Sequence, residues 1–452
     1  MFDQEVISFA HGNGLRGPDP AVVAAGIKAL LDQTGFPLER YNFLERYEPL
    51  EEAIHTTMLR EGFPLEHLDL ICIDAGTTKL FTSFLSTVTD PGDVVLTAPG
   101  FYHGLVGWCR LLKLGMQIAP ATAADAYKLT AASLDAARCE QQLRGAHPPS
   151  VVVVFNPTPS GAIYTTDELR GVADFCHEHD LVAIEDNVFA RTRYEPYAPI
   201  AHLADDERMR GRVVSVDGCS KADGLANLRV GWAIGPPHLV QPMEQVKLAT
   251  TVALPYVAQV MAETALRLEW GARPHGAAVC RQRAALVSSS IAEVNELLDL
   301  PGEAGLRVVH PPRAGHSIMV DGGALGAGGR LAPFRNSLQL AEDWLDRAAV
   351  AVSPLYSCGL DGHELRLNFA SINRSALPDS GRRDQPPAEG PDPALLIREG
   401  LVRRLASALH PRALGRRRVH RVVVRATVPH LPTHPPTHRQ ARPHRLPTAA
   451  VG

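Results

Sequence analysis

The sequence predicts an α/β fold, with a large unit built on a mostly parallel sheet flanked by helices and a smaller α+β unit beside it. Three observations lead there. Val151-Val152-Val153-Val154-Phe155 is a continuous, largely β-branched run, the mark of a strand buried on both faces of a parallel sheet. Short apolar runs alternate with segments, such as 80–88 and 166–179, whose aliphatic residues recur at helical spacing. Four of the apolar runs end in residues suited to holding a ligand: Gly76-Thr77-Thr78, Asn156, Asp186 and Lys221. Open α/β sheets bind ligands along the carboxyl edge of their strands.

In chain order, residues 10–20 read as a loop and 21–31 as a helix. A strand at 68–73 runs into Gly76-Thr77-Thr78 and an apolar helix. A glycine and two hydroxyls at a helix start make a phosphate cradle, because free N–H groups point outward and the helix dipole favours an anion. Gly-Thr-Thr is equally an ordinary N-cap. Asp90-Pro91-Gly92-Asp93 is a turn into a strand at 94–97, followed by Pro99-Gly100-Phe101. A flat ring such as Phe101 either covers one face of an extended ligand or packs in the core. The run at 151–155 leads into Asn156-Pro157-Thr158-Pro159-Ser160-Gly161, and a strand at 181–184 ends in Glu185-Asp186. A strand at 213–217 enters Gly218-Cys219-Ser220-Lys221, with Arg229-Val230-Gly231 beginning eight residues on. A helical stretch to about Trp270 should bridge the two units; short strands at 306–310, 317–321 and 350–353 belong to the smaller one.

Charge is unevenly placed. No acid follows Glu399, so the body to that point carries net −15 and residues 400–452, with eleven arginines, carry +11. Of six lysines, only Lys221 sits at a strand end with an Arg-x-Gly behind it. The seven cysteines are far apart and none has metal-ligand spacing, so no metal site is expected and free thiols in a reducing compartment are. The N-terminus has no signal-peptide pattern and no apolar run is long enough to span a bilayer, which points to a cytoplasmic protein.

The segment 213–232 resembles the lysine segment of the class I/II aminotransferases, enzymes of fold type I that use pyridoxal 5′-phosphate, the aspartate aminotransferase-like superfamily. The resemblance covers roughly residues 8–373. It implies a seven-stranded sheet and a homodimer with active sites at its interface. It further implies that Lys221 forms the Schiff base with the cofactor, that Arg229 grips its phosphate with Gly76, Thr77, Thr78 and Ser220 nearby, and that Phe101 stacks on the pyridine ring. Asp186 is the expected partner of the ring nitrogen, and Tyr41 would reach across the interface to the partner's phosphate. A lysine in that role must act as a neutral amine, which suits a desolvated site beside other cations. His363-Glu364-Leu365-Arg366-Leu367-Asn368-Phe369 resembles the family's substrate segment, so Arg366 is expected to fork onto the substrate α-carboxylate.

Departures are visible as well. The Asn156 motif is one residue short, so either Asn156 or Thr158 takes the contact to the cofactor's phenolic oxygen, with Asn156 preferred. Phe189 stands where the family has a tyrosine, Gly218 where a phosphate-binding serine is common, and Arg46 and Glu51 where glycine and arginine are usual. Amino transfer between an amino acid and a 2-oxo acid is the first expectation. The departures motivate a second, a non-transaminating enzyme of specialised metabolism that diverts the same chemistry to elimination, replacement or bond formation. The expected organisation is an N-terminal segment (1–45) joining the small domain and dimer interface, a large cofactor domain (46–270), a small domain (271–380) and a Pro/Arg/His-rich tail (381–452). Within that tail 394–409 is able to form one helix and the rest reads as disordered. A shifted reading frame, a natural disordered tail and a nucleic-acid-binding arm all fit it, the last least well because no aromatics are interleaved.

Overall fold

The computed structural model describes residues 6–10, 12, 14–15, 17–32, 39–41, 47–64, 70–300, 305–323, 334–370, 372–375 and 392–409. Its centre is a seven-stranded sheet of β2 (Ile71–Asp74), β3 (Val94–Thr97), β4 (Gly115–Ile118), β5 (Pro149–Phe155), β6 (Val182–Asp186), β7 (Val213–Gly218) and β8 (Gly231–Ile234). The order across it is β2-β8-β7-β6-β5-β3-β4, and only β8 runs antiparallel to its neighbours. The run that predicted a central strand is one: Val151 to Val154 are fully buried in β5, between β3 and β6. Apolar side chains on the two faces enter two separate clusters, so helices must cover both.

Those helices have local reasons to start where they do. At α6 (Thr166–Glu178), Thr165 accepts from the Glu168 N–H at 3.2 Å while Glu168 accepts from the Thr165 N–H at 2.8 Å, satisfying two donors that the first turn leaves over. Helix α3 (Thr77–Val88) starts after Gly76, whose φ of 80° disfavours a residue with a Cβ. Beside the large sheet lie a four-stranded sheet, which pairs Ser317–Asp321 with Glu364–Asn368, and a three-stranded sheet that takes in Val6–Ser8 from the opposite end of the chain. A third apolar cluster fills this smaller lobe.

The boundary placed at 270 falls in the middle of a helix that runs unbroken over Tyr256–Leu297. Pro274 lies inside it and cannot donate to the Trp270 carbonyl; the Tyr197 hydroxyl donates there instead, at 3.1 Å. Pro393–Arg398, Glu399–Leu405 and Ala406–Leu409 form a continuous helical segment, the helix the sequence allowed, and Leu396, Ile397, Leu401, Leu405 and Leu409 are buried in the small-lobe core. Apolar residues on one helical face outweigh the basic composition around them. Residues 376–391 and 410–452 lie outside the described residues, as does Arg46.

Replacing Leu401 with alanine should therefore cost about 3 kcal/mol in denaturant unfolding. Replacing Leu395, which is 65% exposed, should cost less than about 0.5 kcal/mol. Equal, negligible effects would mean that this helix is not part of the core.

Candidate active site

The carboxyl edge of the sheet gathers most of the sequence-predicted residues. Strand β8 passes so close to the start of α3 that a Cβ on Gly231 would lie 2.9 Å from the Thr77 nitrogen. This close approach explains the glycine of Arg-x-Gly. It also carries Arg229 over the first turn of α3, where a Cβ on Gly76 would lie 2.5 Å from Arg229 Nη2. Arg229 holds a left-handed φ of 56°, donates to the Ala226 carbonyl at 2.8 Å and lies 3.4 Å from the Ser220 hydroxyl. A helix N-terminus, a guanidinium and a serine thus converge with backbone-only space between them, the donor set of a phosphate site.

Lys221 stands beside this cradle. Its ammonium donates to the Gly12 carbonyl and lies 5.7 Å from the centre of the Phe189 ring. Burial, together with the neighbouring Arg366 and Arg229, lowers its pKa to about 8, with Asp186 pulling the other way. Asp186 ends β6 and accepts from the Val188 N–H at 3.0 Å; burial raises its carboxyl to about 7, and among the described residues no salt bridge holds it. On the small-lobe side, Arg366 faces Ser353 and Met319 across its two neighbouring strands. Its Nη2 reaches the Ser353 hydroxyl at 3.3 Å, Nε has no partner among the described residues, and burial pushes its pKa below the ordinary arginine range. Among the described residues this buried guanidinium has only a neutral hydroxyl beside it, and no anion to offset its desolvation.

The family description that matches residues 4–379 is Aminotransferase class I and II. The chain belongs to the class I and II aminotransferases. It is 25% identical over 368 residues to a probable aspartate/prephenate aminotransferase of Rhizobium leguminosarum bv. phaseoli, covering 79% of this chain and 86% of that one. A putative aminotransferase of Bacillus subtilis aligns at 28% identity over 44% of this chain and 49% of its own length. The fold matches the crystal structure of the aspartate aminotransferase from Rhizobium meliloti with a TM-score of 0.73 at 21% identity, covering 90% of this chain and 92% of that one. An aromatic aminotransferase from Pyrococcus horikoshii matches at 0.72 and 21% identity, covering 90% and 97%. The cofactor of this aminotransferase is pyridoxal phosphate, and the cradle, the unpaired Asp186 and the depressed Lys221 suit its phosphate, ring nitrogen and aldehyde respectively.

Asn156, Thr158 and Phe101 make other contacts within this chain. Asn156 spends both amide donors inside the core, on Glu185 Oε1 at 3.0 Å and the Ala201 carbonyl at 2.8 Å, and its oxygen accepts from the Tyr164 N–H at 3.3 Å. Thr158 is also engaged, with the Ser160 hydroxyl and the Ala162 N–H, so the shortened motif offers the site neither side chain. Phe101 is 2% exposed and belongs to the core cluster that includes Leu355 and Leu360; Gly100 bonds the Cys358 carbonyl. Its ring packs in the contact between the lobes. Tyr41 is 75% exposed on this chain. At Gly218 a Cβ would meet the Val230 carbonyl at 2.8 Å, so the backbone leaves no room for the serine common in relatives.

Sequence reading missed Arg191 and Asp223, a fully buried ion pair behind the lysine loop. It also missed a contact of the N-terminal loop: a Cβ on Gly14 would lie 3.0 Å from the Lys221 carbonyl, so Gly14 lies directly on the lysine segment. An arginine and an aspartate far apart in sequence carry no periodicity that joins them. In cofactor-free enzyme, acylation of Lys221 followed by peptide mass spectrometry should show a half-maximal rate near pH 8. Arg366→Gln should raise that midpoint, because it removes a nearby positive charge. A midpoint at the ordinary lysine value in the unaltered enzyme would contradict the desolvated site.

Proposed function

We propose that Lys221 is the amine that carries pyridoxal phosphate and that Arg366 holds the α-carboxylate of an amino acid donor, whose nitrogen is passed on to a 2-oxo acid. The observation that carries this reading is the buried Arg366 guanidinium, with its unpartnered Nε and one neutral hydroxyl neighbour. A carboxylate arriving there gains a charge-assisted, forked contact in a desolvated place. When bound, the cofactor supplies an aldehyde for an amine to link to and a ring that accepts the electrons released at the substrate Cα.

The residues divide the work. Arg366 fixes the carboxylate end of the donor, so that Cα faces Lys221. With a pKa near 8, Lys221 is neutral in an appreciable fraction of molecules at neutral pH and is able to take and return a proton at its Nζ. Asp186, buried and without a paired cation, becomes the carboxylate that a protonated ring nitrogen calls for. Gly76, Thr77, Thr78, Ser220 and Arg229 anchor the phosphate and stop the ring from sliding along the sheet edge. The relatives' names include aspartate, prephenate and asparagine as substrates, which supports small α-amino and 2-oxo acids here.

We further read the enzyme as a homodimer, in which exposed Tyr41 meets a second subunit, with a large cofactor lobe and a small lobe reaching to residue 409. No described helix is long and apolar enough to cross a membrane, and the free cysteines suit the cytoplasm.

Purified enzyme titrated with a panel of amino acids should lose the visible band of the lysine-linked cofactor, and a 2-oxo acid should restore it. Lys221→Ala should show no such band. Arg366→Gln should raise the donor KM on the order of a hundredfold. A band unchanged in Lys221→Ala would refute the assignment. Consumption of a donor whose nitrogen is not passed to the added 2-oxo acid would favour the elimination or bond-forming reading, which Phe189 and the occupied Asn156 amide also suit.

A further inference from the structure

We propose that Arg191 is a positioning residue: one guanidinium clamps the lysine loop at both ends and so fixes where the Lys221 amine stands relative to Asp186 and Arg366. The inference rests on the reading of Lys221 as the cofactor-linked amine. Arg191 lies five residues after Asp186, in the short turn Ala190–Thr192. Its Nε donates to Asp217 Oδ2 at 2.9 Å and its Nη2 to the Gly218 carbonyl at 2.9 Å, both at the end of β7, just before the loop. Its Nη1 and Nη2 fork onto the two Asp223 oxygens at 3.0 and 2.9 Å, just past Lys221. The loop therefore leaves one planar cation and returns to it, with Lys221 at its crest.

The pairing is closed off from water. The Arg191 and Asp223 side chains are 0% exposed and Asp217 is 3% exposed. The Trp232 ring lies 5.5 Å from the guanidinium, and Cys219 is fully buried next to Gly218. Two carboxylates on one guanidinium are costly to desolvate, and the return is a fixed orientation. Gly14 packs against the loop from the other side, where a Cβ on it would lie 3.0 Å from the Lys221 carbonyl. Because Arg191 follows the strand of Asp186 and grips the loop of Lys221, it sets the spacing between the groups assigned to opposite ends of the cofactor.

Removing Arg191 outright would leave buried carboxylates unpaired and so test folding as much as position. The informative variant is Asp223→Asn, which keeps the shape and one acceptor but loses the charged fork. Two readouts apply: the affinity with which apo-enzyme relinks pyridoxal phosphate at Lys221, trapped by borohydride and located by peptide mass spectrometry, and the pH midpoint of Lys221 acylation without cofactor. With circular dichroism unchanged, linkage should weaken about tenfold or more, a rough expectation for a lost charged contact. The midpoint should rise from about 8, because a released loop exposes the amine to water. Loss of the Asp223 charge alone would move the midpoint down, so the sign separates positioning from a field effect. Arg191→Lys, a point charge that cannot fork, should move both readouts the same way. A folded Asp223→Asn with unchanged linkage, or with a midpoint that is unchanged or lowered, would overturn the proposal. If the unaltered enzyme fails to link cofactor at Lys221, the functional reading falls, while the acylation midpoint still reports on the clamp.

Discussion

The close approach of β8 to the first turn of α3 is the constraint on which the rest of the site depends. With no Cβ at Gly231 or Gly76, the two backbones nearly touch, and Arg229 is delivered over a helix N-terminus. A methyl group at either glycine would collide with backbone or with the guanidinium. The same antiparallel strand ties β7 to β2, so the lysine loop and the phosphate cradle hang from neighbouring strands of one rigid sheet.

Electrostatics complete what packing begins. The site holds cations that the protein does not neutralise: Arg366 has a hydroxyl for company, and Lys221 sits beside two arginines. Behind it, the opposite rule applies, since Arg191 donates to both Asp217 and Asp223. Satisfied ions hold the loop; unsatisfied ions face where anionic groups are to bind. Low dielectric makes both halves stronger than they would be in water.

The lobes meet through backbone as much as through side chains. Gly161 accepts from the Arg313 N–H at 2.8 Å, Gly100 donates to the Cys358 carbonyl at 2.8 Å, and the Ser160 hydroxyl lies 3.0 Å from His310 Nε2. Phe101 packs in that contact too.

How much of this was legible in the sequence follows from the range of the forces involved. A β-branched run, a Gly-Thr-Thr before a helix and a lysine eight residues ahead of Arg-x-Gly are local signals, and local propensity and glycine geometry act over a few residues. They determined the sheet, its ligand-binding edge and the lysine and arginine at that edge. The core helix at 393–409 was legible from its apolar spacing, although basic composition masked its importance. What only the tertiary structure decided is the direction of side chains with a choice of partners. Asn156 turned inward because Glu185 and the Ala201 carbonyl, distant in sequence, offered it two acceptors. Arg191 and Asp223 became a clamp because the chain brought a turn after β6 against a loop after β7. Such contacts are fixed by the packing of whole strands, and no window of sequence contains both partners.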